Sequence, residues 1–227
     1  MDKKYAAKRK KAVAVIEKLR KFLKTPSYLE THRQNNSGVF KTLIATILSA
    51  RTRDENTDLA VRQLFSVYKT PEQIANAPVK KIEKLIRPSG FYKTKARYLK
   101  ETSRILLEEF GGKVPDSIEQ LMTLPGVGRK VAGCVLVYGF GKCECIPVDV
   151  HVAVVSQRLG WTKEKEPEKI EKDLLELVPK KYWLQVNELF VVFGQTVCLT
   201  RNPKCWRCPV FKHCKWAGKF SRAEDAA

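Results

Sequence analysis

Leu124-Pro125-Gly126-Val127-Gly128-Arg129-Lys130 is the stretch on which the reading of this chain turns. It sits between two segments of helical pattern. Two glycines two residues apart allow a tight reversal with positive φ, which a residue carrying a Cβ resists. The helix that follows begins at once, so its first backbone amides point out of its N-terminal end. Those amides and the positive end of the helix dipole together favour an anion such as a phosphate.

A reversal of this shape between two helices is a helix–hairpin–helix, which grips a nucleic-acid backbone without reading its sequence. A bare G-x-G says little. The seven-residue string is far more specific, because each position has a geometric reason. Gly126, Val127, Gly128 and Arg129 form the candidate backbone grip. Lys130, at the start of the second helix, has two readings. It is either a phosphate-contacting cation or a nucleophile. A lysine attacks only as the neutral amine, so the second reading needs partial burial, a neighbouring cation such as Arg129, or the helix dipole to lower its pKa.

Outward from the hairpin the pattern stays helical. Ala12, Val15, Ile16, Leu19, Phe22 and Leu23 form one stripe at helical spacing, as do Phe40, Leu43, Ile44, Ile47 and Leu48. Thr70-Pro71-Glu72-Gln73 and Ser117-Ile118-Glu119-Gln120 read as helix starts with a hydroxyl cap and an amide reaching back. A long amphipathic helix is predicted over 93–110 and stopped by Gly111-Gly112, and another over 180–198. No segment alternates with period two, so the chain is predicted to be all-α.

Lys and Arg number 43 against 24 Asp and Glu, a net charge of +19 on 227 residues. Such an excess costs self-repulsion in a folded state, and a polyanionic partner offsets it. The most apolar stretch, Val131 to Phe140, contains two glycines and is about half of what a bilayer span needs. The basic N-terminus lacks a following apolar core, so no targeting signal is read. An intracellular, cytoplasmic or nucleoid-associated protein is expected, with its seven cysteines as thiols or metal ligands rather than disulfides.

Four of those cysteines, Cys198, Cys205, Cys208 and Cys214, follow C-x6-C-x2-C-x5-C. Thiolates packed this closely along the chain point to a metal. Zinc usually takes two C-x2-C pairs split by a longer loop. A single compact run suits a [4Fe–4S] cluster better. Arg201, Lys204, Arg207, Lys212 and Lys215 make this segment basic, and Arg201 and Lys204 join the candidate DNA contacts. Cys134, Cys143 and Cys145 read as buried thiols. Asp149, in Val148-Asp149-Val150-His151-Val152, is either an N-cap for the helical pattern after it or a functional carboxylate.

Taken together, L-P-G-V-G-R-K, V-D-V-H and the cysteine run resemble the endonuclease III family of the helix–hairpin–helix DNA glycosylases. Leu48-Ser49-Ala50-Arg51-Thr52-Arg53-Asp54 and Gly90-Phe91-Tyr92-Lys93-Thr94-Lys95-Ala96 are similar to further family segments, and the likeness runs in order from about residue 35 to 216. It implies two helical domains: a six-helix domain with the hairpin over 33–142, and a cluster domain from 1–32 and 143–227, with DNA in a groove between them. It implies a monomer acting on duplex DNA with damaged bases or abasic sites. Lys130 is then the nucleophile, Asp149 its acid–base partner, and an oxidised pyrimidine the flipped substrate. Attack at C1′ releases the base, and a Schiff base leads to β-elimination. Arg51 and Phe91 match the positions that wedge into the duplex. The family often has glutamine at the first and usually leucine at the second. The Cys143-Glu144-Cys145 loop is one residue longer than the family suggests.

Two other functions fit the same residues. One is a G·T or G·U mismatch glycosylase of the same superfamily. The other is not an enzyme but a hairpin DNA-binding module or a redox cluster protein. The adenine-removing branch fits less well, because it carries an added C-terminal domain and 13 residues follow Cys214.

Overall fold

The structure is a computed structural model and describes residues 3–24 and 38–218. Among these residues every regular element is helical and no strand occurs. In chain order the helices are α1 (Lys3–Phe22), α2 (Val39–Ser49), α3 (Asp54–Val67), α4 (Pro71–Asn76), α5 (Val79–Leu85), α6 (Tyr92–Phe110), α7 (Ile118–Leu121), α8 (Arg129–Cys134), α9 (Val150–Leu159), α10 (Pro167–Leu177) and α11 (Trp183–Thr196). Two compact units result: Tyr28–Lys142, and Met1–Ser27 with Cys143–Ala227.

The Tyr28–Lys142 unit is organised on α2. Its stripe residues Leu43, Ile44, Ile47 and Leu48 are fully buried with Leu64, Ile74, Ile82, Leu99 and Leu106. Phe40 is half-buried and meets Phe65 edge-on at 6.2 Å. Both predicted helix starts are present, with one difference. Thr70 caps the Gln73 amide, but the Gln73 side chain accepts from Lys69 N–H at 2.6 Å, one residue before the cap. Ser117 caps the Gln120 amide while its own hydroxyl donates to Gln120 Oε1. Gly111, at φ +58, ends α6, and Gly112 N–H closes back on Leu106 O at 2.8 Å. Helix α8 runs on into a π-helical turn, Val135–Gly139, whose Val135, Leu136, Val137 and Tyr138 are buried.

The second unit takes its core from both chain ends. Ala12, Val15, Ile16 and Leu19 of α1 bury against Val152 and Val155 of α9, Leu174 of α10, and Phe190 and Phe193 of α11. The predicted apolar stripe of α1 is kept through Leu23, which packs on this core, with one exception. Phe22, the last helical residue, stands 37% exposed. The 180–198 helix is also divided. A 3₁₀ turn over Lys180–Tyr182 precedes α11, and Trp183 Nε1 donates to Val178 O at 2.8 Å across that junction.

Candidate nucleic-acid interface and metal centre

The hairpin is a tight turn closed by Val127 N–H on Leu124 O at 3.1 Å. Helix α6 supports it from below: Thr102 Oγ1 donates to Pro125 O, and the Tyr98 ring lies against Gly126. A Cβ on Gly126 would come within 2.7 Å of that ring, and its φ is +79°. Gly126 is therefore required twice over. Gly128 is not, and here the sequence reading needs correction. Its φ is −91°, and a Cβ there would meet nothing within 4 Å. Only the first glycine makes the reversal. Val127 is buried as the anchor, while Gly126, Gly128 and Arg129 are exposed. The α8 ladder opens with Ala132 N–H on Gly128 O, which directs the first turn of amides outward. Lys130 is half-buried on that first turn.

Arg51 and Phe91 lie in the same unit as the hairpin, 40 residues apart in sequence yet side by side. Both adopt left-handed backbone, at φ +53° and +57°. Neither is glycine, so each conformation is strained and has to be held by its surroundings. The two turns press together: a Cβ on Gly90 would stand 2.7 Å from Arg51 O. The Arg51 guanidinium lies 5.8 Å from the Phe91 ring. Phe91 is 63% exposed, far more than an aromatic side chain kept for packing. Sequence reasoning missed what lies beneath. Lys95 is 5% exposed and donates to Leu48 O, Ala50 O, Thr52 Oγ1 and Ser89 Oγ at 2.7, 2.6, 3.0 and 2.9 Å. The available signal was a lone lysine on the apolar face of α6, in register with Ala96 and Leu99.

Asp149 belongs to the other unit and caps α9. Its Oδ1 alone accepts both His151 N–H and Val152 N–H, each at 2.9 Å. Capping therefore occupies one carboxylate oxygen. The loop that delivers Asp149 is fixed by the buried Asn187 of α11, whose Nδ2 donates to Pro147 O at 2.6 Å.

Cys198, Cys205, Cys208 and Cys214 line one cavity of about 20 Å³ together with Arg158, Val197, Pro203, Phe211 and Trp216. Short 3₁₀ turns at Cys205–Arg207 and Phe211–His213 set their directions. Burial pushes the Cys208 thiol up to about 12, against one backbone hydrogen bond from Val210. Burial also raises Cys198, although Arg158 beside it pulls the other way. Uncompensated thiolates are thus unfavourable here, and a bound cationic centre is what would stabilise them. Four thiols around one cavity are a donor set suited to a thiolate-held metal centre. Arg201 is exposed and Lys204 half-buried on the segment between Cys198 and Cys205. Cys134 and Cys145 are buried and Cys143 half-buried, all outside this cavity.

Over residues 44–180 the chain matches the family described as HhH-GPD superfamily base excision DNA repair protein. It is 46% identical over 185 residues to endonuclease III of Thermotoga maritima, covering 82% of this chain and 86% of that protein. A solved structure of a trapped endonuclease III–DNA covalent intermediate is similar at TM-score 0.83 and 31% identity, covering 91% of this chain and 95% of that one. A thermostable thymine-DNA glycosylase is similar at TM-score 0.77 and 28% identity, covering 92% and 96%. The chain belongs to the HhH-GPD superfamily of base excision DNA repair proteins and, within it, to the endonuclease III family. No helix among the described residues is long and apolar enough to cross a membrane.

Proposed function

We propose that this protein is a bifunctional DNA glycosylase and abasic-site lyase. It removes oxidised or otherwise damaged pyrimidines from duplex DNA and nicks the strand by β-elimination. The observation that carries this reading is a half-buried lysine on the first turn of the hairpin helix, in a chain 46% identical to an endonuclease III. Lys130 attacks C1′ of the flipped nucleotide as a neutral amine and displaces the base. Asp149 takes the proton from Lys130 and offsets the positive charge that grows on the sugar. Gly126, Val127, Gly128 and Arg129 grip the backbone by amides and charge. Arg51 and Phe91 enter the duplex where the nucleotide has left. Cys198, Cys205, Cys208 and Cys214 would hold a [4Fe–4S] cluster, which shapes the segment that presents Arg201 and Lys204 to phosphates. The protein works as a monomer on chromosomal DNA inside the cell.

Borohydride trapping tests this directly. A covalent adduct with lesion-bearing duplex is expected for the wild type and lost in Lys130→Gln, with DNA affinity largely kept. Trapping by Lys130→Gln at the normal level would move the nucleophile elsewhere. A second reading, removal of thymine or uracil from mismatches with guanine, is favoured by the likeness to a thymine-DNA glycosylase. A panel of duplexes carrying oxidised pyrimidines and G·T or G·U pairs separates the two.

A further inference from the structure

We infer that Lys95 is the positioning residue for the Arg51–Phe91 wedge: its buried ammonium ties the two turns carrying those side chains to the end of α2. This rests on the reading that Arg51 and Phe91 enter the duplex.

The argument is geometric. An ammonium has three donors, and four acceptors surround this one within 3.0 Å, so every N–H is used. The acceptors bracket the wedge. Leu48 O and Ala50 O precede Arg51, Thr52 Oγ1 follows it, and Ser89 Oγ lies two residues before Phe91. Ser89 Oγ also donates to Leu48 O at 3.0 Å, and Gly90 N–H donates to Thr52 Oγ1 at 3.1 Å. Two strained left-handed residues are thereby held by one charge that touches neither of their side chains.

A buried lysine is a costly way to hold a loop, since desolvation penalises the charged form. Burial lowers Lys95 to about 8, the direction that this cost dictates. An apolar residue of similar size would avoid that cost but leave Ala50 O and Leu48 O without this donor. What the ammonium adds is direction. It collects carbonyls at the C-terminal end of α2 and a hydroxyl from each turn into one arrangement. The exposed Arg51 and Phe91 side chains then have a fixed base before DNA arrives, so less ordering remains to be done on binding.

The test is a double-mutant cycle read by single-turnover base release from duplex carrying an oxidised pyrimidine. The active fraction is taken from the end-point of borohydride trapping on a preformed abasic site. Lys95→Met is expected to slow base release by about ten- to a hundredfold at an unchanged end-point, as misplacement remote from the chemistry does. In an Arg51→Ala/Phe91→Ala background the same substitution should change the rate by less than about twofold. An equal loss in both backgrounds would overturn the proposal, because Lys95 would then act on the whole fold. Unimpaired base release by Arg51→Ala/Phe91→Ala would instead overturn the wedge reading, and the positioning role with it. Thr52→Val repeats the cycle should Lys95→Met fail to fold. It removes one Lys95 acceptor and the Gly90 acceptor together, and the same dependence on background is expected.

Discussion

Arg158 Nη1 donates to Cys198 Sγ at 3.3 Å, from the last turn of α9 to the first of the four cavity cysteines. The same guanidinium donates to Leu199 O at 2.8 Å and Thr200 O at 3.0 Å, and it stacks on the Trp216 ring at 4.4 Å. One planar fork thus supplies charge to a sulfur and wraps the backbone that follows it, a combination lysine cannot reproduce.

Arg158→Gln is therefore expected to weaken cluster retention. The wild type should carry about four irons per chain, as a [4Fe–4S] site requires. The variant should show less iron and weaker visible absorbance after purification without oxygen, and faster bleaching in air. Iron content equal to the wild type, with equal air stability, would remove Arg158 from the cluster's support.

The hairpin glycines should separate fold from grip. Gly126→Ala places a Cβ against Tyr98 and forces an alanine to φ +79°, so it should cost about 1–3 kcal/mol and lower Tm by several degrees. Gly128→Ala meets open space at an ordinary φ, so its Tm should stay near that of the wild type. If backbone phosphate approaches Gly128, that methyl group should still weaken DNA binding. Binding at wild-type strength by Gly128→Ala would show that phosphate does not come close there.

Lys95 gives a pH dependence whose sign is opposite to that of a salt-bridged lysine. Its folded value is lowered to about 8, while the unfolded chain titrates near the ordinary 10.5. Between those values the unfolded state binds the extra proton, so stability rises with pH across that window. Urea unfolding of wild type and Lys95→Met from about pH 7 to 10 should show the wild type gaining relative to the variant above about pH 8. A difference that stays constant across this range would mean that the ammonium is not penalised by its burial.

How much of this was legible in the sequence depends on how local each feature is. The hairpin and the cysteine run lie within single short stretches, so spacing alone exposes them. The cap on α4 could be read for the same reason, because Thr70 and Gln73 are one helical turn apart. Lys95 and Arg158 could not be found that way. Apart from Ser89, their acceptors lie 40 to 47 residues off in the chain, and neither residue type announces a buried tether. The two glycines of the hairpin look alike in sequence. They differ only because Tyr98 of α6 packs under one of them. Phe22 fits the helical period of α1 as Leu23 does, yet only Leu23 packs on the core, a difference that period cannot show.

Asp149 has two readings in the sequence, a cap or a catalytic carboxylate, and the geometry makes them compatible. Both capping hydrogen bonds fall on Oδ1. A second oxygen and the full negative charge then stay with the group, whatever the cap uses. Asp149→Asn keeps an Oδ1 acceptor in the same place, and asparagine caps about as well as aspartate. What it loses is the charge and the capacity to accept a proton. The thermal cost should therefore be small, at most the roughly 0.3–1 kcal/mol that a charge gains at a helix N-terminus. The chemical cost should be large, with single-turnover base release slowed by roughly 10²-fold or more. Affinity for lesion duplex should change little. Asp149→Ala serves as the counterpart: it loses the cap as well, so Tm should fall by the further equivalent of about 1 kcal/mol while base release is slowed to a similar degree. Base release by Asp149→Asn within a few-fold of wild type, alongside a stability loss in Asp149→Ala, would reduce the residue to its cap and leave Lys130 in need of another proton acceptor.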